Sequence, residues 1–198
     1  MSITLNPMVT GSPTGTFRLD TEGYVQGAVM DDPSSNMWLA SAIIDASVTQ
    51  PIWGGMAVTE KIAPPDQNGL GNSLVIAANN AGVTGFTVIN RSYNAILTPG
   101  NNVPQLMAGM TSMFYRLGSN ARIAVQCDPT LANNLNPGAI NQQVSWDFTN
   151  QKLVTYSSGA GALACKVLAI STKSKIVSYN SGTGALTWAQ GPAVLIQI

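Results

Sequence analysis

Hydrophobic and polar positions alternate one by one through much of the second half of the chain. Val144, Trp146 and Phe148 take every second place, with Ser145, Asp147 and Thr149 between them. Successive side chains on a strand point to opposite faces, so the pattern predicts a strand whose Asp147 faces away from the two rings. Asn150-Gln151 stands where a tight hairpin turn belongs, and Leu153 to Tyr156 returns. Ala121 to Cys127 reads the same way, with Ile123, Val125 and Cys127 inward and Arg122, Ala124 and Gln126 outward. Further on, ALACKVLAI is a strand, KIVSYN and ALTWAQ form a hairpin around the turn SGTG, and the chain ends in PAVLIQI. In that last run Val194, Ile196 and Ile198 share one face while Ala193 and Leu195 hold the other. A strand apolar on both faces is buried on both, in the domain centre or against a partner subunit.

The first half is less regular. Leu74 to Ala78 is a short apolar run, NNAG at 79–82 forms a turn, and Thr84 to Ile89 resumes with Phe86 and Val88 on one face. Residues 104–117, PQLMAGMTSMFYRL, fit a helical stripe of Leu106, Met107, Met110, Met113, Phe114 and Leu117 behind Pro104, or a strand face of Met110, Ser112, Phe114 and Arg116. Gly109 weakens the helix and the GSN that follows favours a strand, so a strand is expected. Gly54-Gly55 permits a sharp bend or a close backbone approach, and Pro64-Pro65 ends any regular element. In MDDPSSNMWLASAII, residues 30–44, Asp32 and Pro33 can open a short helix as N-cap and first position. Asp128-Pro129 does the same for DPTLANNL. Residues 1–27 are rich in Thr, Gly, Pro and Ser and carry few large apolar groups, so they cannot bury enough surface to fold alone. The expected organisation is an extended N-terminal arm over 1–27 and a single β-rich domain over 28–198. The expected fold is mainly β, an antiparallel sandwich or barrel of jelly-roll-like kind with one or two short helices.

Composition narrows the function. Charged residues make up 9% of the 198 residues, against roughly 25% in an average soluble domain. Asn, Gln, Ser and Thr replace them, and interface cores are depleted in Lys, Glu and Asp in the same way. Nine basic and nine acidic residues cancel, and Lys173 and Lys175 are the only close basic pair. A nucleic-acid partner is therefore not expected. There is no histidine, which removes the usual general base and the commonest metal ligand. Cys127 and Cys165 have no CxxC spacing and lie in apolar runs, where cysteine acts as a small core residue. Asp31 and Asp32 lack a third oxygen ligand at a recognised spacing, so no metal or other cofactor is expected. No apolar run reaches the roughly 20 residues that span a bilayer, and the N-terminus lacks the pattern of a secretory signal. No P-loop or GxSxG elbow is present, and a Ser-His-Asp triad is impossible without histidine. GAGALA at 159–164 loosely matches a dinucleotide pattern but leads into a strand instead of a helix. Asn90-Arg91-Ser92 matches a glycosylation pattern that nothing else supports. Asp147, on the face opposite Trp146, reads as a structural residue, and an enzyme is not expected.

Four stretches, QPIWGGMAV, FYRLGSNARIAVQCDP, VSWDFTNQKLV and GTGALTWAQGPAVLIQI, together with the polar arm, give a resemblance. The chain resembles the virion structural proteins of tailed bacteriophages, most of all their capsid decoration, or cement, proteins. The resemblance implies a protein made in the cytoplasm of a bacterial host that binds the outside of the phage head. Its partners would be the major capsid protein and itself, as a homotrimer or homodimer, and its role would be to bridge capsomers. Phe17, Arg18 and Tyr24 of the arm are the expected capsid contacts, with Ile196 and Ile198 of the last strand as partner contacts. Trp53, Met56, Trp146, Trp188 and the last strand as a whole are expected as framework. The competing expectations are a tail-tube or baseplate protein and, from another class, a carbohydrate-binding module or enzyme on a β-sandwich.

Overall fold

Short apolar runs separated by turns have two ways to hide their edges: pairing with neighbours or closing on themselves. The computed structural model, which describes residues 23–30, 35–62, 71–89, 103–134 and 143–198, does both. Strands β1 (Leu39–Ile44), β2 (Ala57–Lys61), β3 (Ser73–Ile76), β4 (Gly85–Thr87) and β5 (Thr111–Arg116) form a closed barrel in the order β1-β3-β2-β4-β5. The β1–β3 pair is parallel and the other pairs are antiparallel. Ala42, Val58, Leu74 and Phe114, one from each of four strands, pack together as a small cluster. The fifth strand contributes Gly85 beside them, where a Cβ would come within 2.3 Å of the Tyr115 carbonyl. A barrel this narrow has room for one large ring and small neighbours.

A second sheet is built from β6 (Arg122–Gln126), β9 (Lys166–Asn180) and β10 (Ala185–Gln197), with β10 in the middle. β9 and β10 pair from Lys166–Gln197 to Asn180–Ala185, with register shifts between Gly191 and Ala193 and between Leu195 and Ile196. The expected separate strands ALACKVLAI and KIVSYN are thus one strand from Lys166 onward. The polar STKS between them faces the first register shift: Thr172 and Lys173 are exposed there, while Ser174 is buried, and the strand runs on through it. Pro192 sits within the first register shift, where a missing N–H is tolerated, and its carbonyl accepts from Cys127 N–H. The turn over 181–184 falls where SGTG predicts it.

The third unit is the hairpin β7 (Val144–Asp147) and β8 (Lys152–Thr155). Asp147 pairs with Lys152, so the loop has four residues, 148–151, and not the expected tight turn at Asn150-Gln151. Phe148 therefore leaves the strand, although its ring still packs on the core. Gln151 takes a left-handed φ of 53°, held by its side chain, which accepts from Trp146 Nε1 at 3.2 Å and donates to the Phe148 carbonyl at 2.8 Å. Helix α1 (Pro129–Asn134) follows Asp128, whose Oδ1 accepts from Thr130 N–H at 2.9 Å, as the sequence predicts. A main core joins the units: Phe86 and Tyr115 of the barrel, Ile123, Val125, Val194 and Ile196 of the second sheet, and Trp146 and Leu153 of the hairpin. Phe86 and Trp146 meet edge to face at 5.2 Å.

Residues 39–44 are strand β1, and the described residues just before them, Ser35–Trp38, form a 3-10 turn. Asp31, Asp32 and Pro33 lie outside the described residues. Ala124, read as outward, is fully buried. Its outer backbone edge pairs with residues 23–30, which take Ala124 N–H on the Ala28 carbonyl and donate Gly27 N–H to the Ala124 carbonyl. The segment that the pattern assigned partly to an arm is therefore part of the domain. Val25 bridges Lys175 on β9 and Val29 bridges Ile123 on β6. Both β9 and β6 pair with β10 on their inner sides, so residues 23–30 join the two outer edges of the second sheet. Gly27, at φ 80°, crosses the Gly54-Gly55 bend so closely that a Cβ on it would lie 2.5 Å from the Gly54 Cα. The paired glycines serve as both bend and close approach.

Candidate functional site

Most of the charged and reactive groups have structural employment. Asp147 accepts from Thr149 N–H, Asn150 N–H and Asn150 Nδ2 at 2.8–3.0 Å and shapes the β7–β8 loop. Burial raises its pKa, but these bonds and the Lys152 charge outweigh it and hold the carboxyl below its ordinary value. It is a turn residue, as the alternation implied. Glu60 receives Arg116 Nε and Nη2, each at 2.6 Å, and Asn72 Nδ2. The Arg116 bonds hold it ionised against a burial penalty. The Lys152 ammonium, 2.7 Å from Asp128, does the same for that carboxyl. Asp45 is lowered to about 2 by the Ser47 hydroxyl and N–H, with help from Lys61. Cys127 and Cys165 are free thiols, each pushed up to about 12, chiefly by burial.

These directions set the pH dependence. Carboxyls lowered in the folded state add stability above their unfolded values near about 4, and that stability is lost as pH falls towards 2. Thiols raised in the folded state add stability below about 8.5–9 that is lost as pH climbs. With no histidine to titrate between, the melting temperature is expected to stay level from about pH 5 to 8 and to fall on both sides. A scanning-calorimetry series that shows a step between pH 6 and 7 contradicts this account.

A groove of about 490 Å³ opens where four segments distant in sequence converge. One wall is the turn before β2. Ile52 is pinned to Leu106 by a reciprocal backbone pair, each bond 2.8 Å, and the Trp53 carbonyl accepts from the buried Thr87 hydroxyl at 2.6 Å. The Trp53 ring is thereby fixed as a buried floor, with Tyr179 of β9 leaning on it at 5.4 Å and 42°. The far wall is the β7–β8 loop with Phe148, held by the Asp147 and Gln151 bonds. Gln126, at the end of β6, lies between. Gln50 and Gln126 are half-buried, and their amides make no hydrogen bond among the described residues. No carboxylate is among the described lining residues, and the ammonium there, Lys152, is held by Asp128. Sequence reading placed Trp53 as framework but missed the site. Only the alternation that put Gln126 outward pointed towards it.

The expected contact residues are scattered. Tyr24 is half-buried, with its N–H on the Ser174 hydroxyl at 3.0 Å and its carbonyl accepting from Lys175 N–H at 2.8 Å. Ile196 and Ile198 are core residues, 0% and 5% exposed. They pack in the main core, in the domain centre that the two-sided pattern allowed, so the burial of these two side chains needs no partner. Phe17 and Arg18, like Asn90-Arg91-Ser92 and Pro64-Pro65, lie outside the described residues. Of the expected framework, Trp53, Met56 and Trp146 are buried, while Trp188 is half-buried under the Lys175 ammonium at 4.7 Å. The GAGALA loop leads into β9, as read. Large apolar side chains stand in solvent elsewhere: Met37 is 86% exposed, Trp38 64% and Ile62 80%. Among the described residues no group of three His, Cys, Asp or Glu could hold a metal, and no helix is long and apolar enough to cross a membrane.

No known protein-family model, no curated protein and no solved structure matches the chain.

Proposed function

We propose that this chain is a non-enzymatic structural protein that docks on a repeating protein surface, and that this surface is the outside of a tailed-phage head. The observation that carries the reading is the exposure of Met37 and Trp38 in the 3-10 turn that leads into β1, in a chain with only 9% charged residues. A bare tryptophan beside a bare methionine is costly in water and typical of the centre of a protein contact. The sequence resemblance to cement proteins supplies the identity of the partner, the major capsid protein, and of self-association as a trimer or dimer. Cementing is mass action: a protein that binds the assembled shell and not its separate parts stabilises the assembly. Many copies on one shell add avidity.

Mass spectrometry of the encoding phage's virions, separated into heads and tails, tests the reading. The chain is expected in heads, at a copy number comparable to the major capsid protein. Its presence in tails alone would transfer it to the tube or baseplate. Absence from both would end the virion reading. On purified heads, the double variant Met37→Ser, Trp38→Ser is expected to bind at least about tenfold more weakly. Its melting temperature should stay within about 2 °C of the parent, since exposed side chains contribute little to folding.

A further inference from the structure

We propose that the groove between Trp53, Tyr179, Gln126 and the β7–β8 loop is a binding site for a neutral saccharide, separate from the docking surface. Three features point to that chemistry. The first is an aromatic platform. Tyr179 is half-exposed and is held in place from beneath by the Trp53 ring, 5.4 Å away, so its orientation is set before any ligand arrives. A pyranose presents a face of C–H bonds that stacks on such a ring, which removes apolar surface from water at little entropic cost. The second is the pair of amides. Gln50 and Gln126 are half-buried, and each offers two donors and an acceptor with no partner among the described residues. Vicinal sugar hydroxyls, each both donor and acceptor, match a carboxamide in the way a charged ligand does not. The exposed hydroxyls of Ser178 and Ser181 on the rim extend the same chemistry.

The third feature is charge. The groove has no carboxylate among its described lining residues, and its one ammonium is neutralised at 2.7 Å by Asp128. An anionic glycan would find no free cation, and a cationic ligand no anion. The volume, about 490 Å³, is that of an ordinary small-ligand cleft and suits two or three sugar rings in an open channel. The walls are braced independently of any ligand. The Ile52–Leu106 pair fixes one side, and the Asp147 and Gln151 hydrogen bonds fix the other. A rigid site of this kind loses little conformational entropy on binding.

The test uses the full chain and a panel of neutral oligosaccharides of four to six units (gluco-, xylo-, manno- and galacto-series), with polygalacturonate and heparin fragments as charged comparators. Binding is read by calorimetry and by tryptophan fluorescence. At least one neutral series is expected to bind saturably with Kd of roughly 0.1–1 mM, and the charged comparators at least about tenfold more weakly. Tyr179→Ala is expected to abolish binding. Gln126→Ala should weaken it about tenfold. It is the safer variant for folding, because Gln126 makes no hydrogen bond to the described protein. Failure of every neutral series to bind overturns the proposal. So does a preference for the charged fragments, or binding that survives both substitutions. None of these results bears on whether the protein is found in heads, so the two readings fail separately.

Discussion

A chain that starts at Ala28 is expected to fold poorly or not at all, while one that starts at Gly23 melts close to the full-length protein. The five residues between the two cuts carry most of the bonds that seal the second sheet. Tyr24 N–H binds the Ser174 hydroxyl, and its carbonyl accepts from Lys175 N–H. Gln26 N–H donates to the Lys175 carbonyl at 2.9 Å, and its Oε1 accepts from Val177 N–H at 2.8 Å in a fully buried position. Gly27 donates to Ala124 and accepts from Ile89 N–H. Each such bond is worth about 1 kcal/mol net, and buried groups left unpaired cost more, so the loss is roughly 5 kcal/mol or above. That rivals the whole stability of many domains. The cut would also leave the outer edge of β9 open to other strands, so aggregation should accompany unfolding. Urea denaturation of both truncations decides the matter. Equal midpoints for the two would show that residues 23–27 are a dispensable tail, as sequence composition alone implied.

The second large effect is expected at Asn80. Its side chain, 8% exposed, sits in the 3-10 turn Asn80–Gly82 between β3 and β4. Its Oδ1 accepts from Trp146 N–H at 3.1 Å, and its Nδ2 donates to the Ala160 and Gly161 carbonyls at 2.6 and 3.1 Å. One amide thus ties the barrel to strand β7 and to the loop before β9. Asn80→Ala removes three bonds and leaves the buried Trp146 N–H without its acceptor, while the Gly161 carbonyl keeps the Ser145 hydroxyl at 2.7 Å. The expected cost is about 2–4 kcal/mol, or a drop of roughly 5–15 °C in melting temperature for a chain of this size. Asn80→Asp gives a sharper test. Its carboxylate can still accept from Trp146 but meets two carbonyl oxygens with no proton to offer. The variant should be at least as unstable as the alanine at pH 7 and recover as pH falls towards 5, because the neutral acid donates again. A pH-independent loss in the aspartate variant would mean that the donor side of the amide is not what holds the loop.

Several elements were legible along the chain because their causes are local. The period-two pattern of Ile123, Val125 and Cys127, the SGTG turn, the Asp128-Pro129 start of α1 and the strand at 111–116 all follow from neighbours within a few residues. Asp147 was also legible as a structural group, although the bonds that occupy it come from its own loop and not from a neighbouring strand. The paired Gly54 and Gly55 announced a close approach without naming what approaches.

Composition and alternation alone make this a mainly β chain, poor in charge, without histidine, whose last strand is apolar on both faces. The folded arrangement sets what meets those faces. It placed Ile196 and Ile198 inside the core. It buried Ala124, paired its outer backbone edge with residues 23–30, and made a strand of residues 39–44 within a closed barrel. It also brought Gln50, Gln126, Phe148 and Tyr179 to one groove from four distant parts of the chain. The physical reason is the same in each case. Alternation and turn chemistry act over a few residues and are written in order. Burial of a face depends on which remote segment comes to lie against it, and the order of residues alone does not state that.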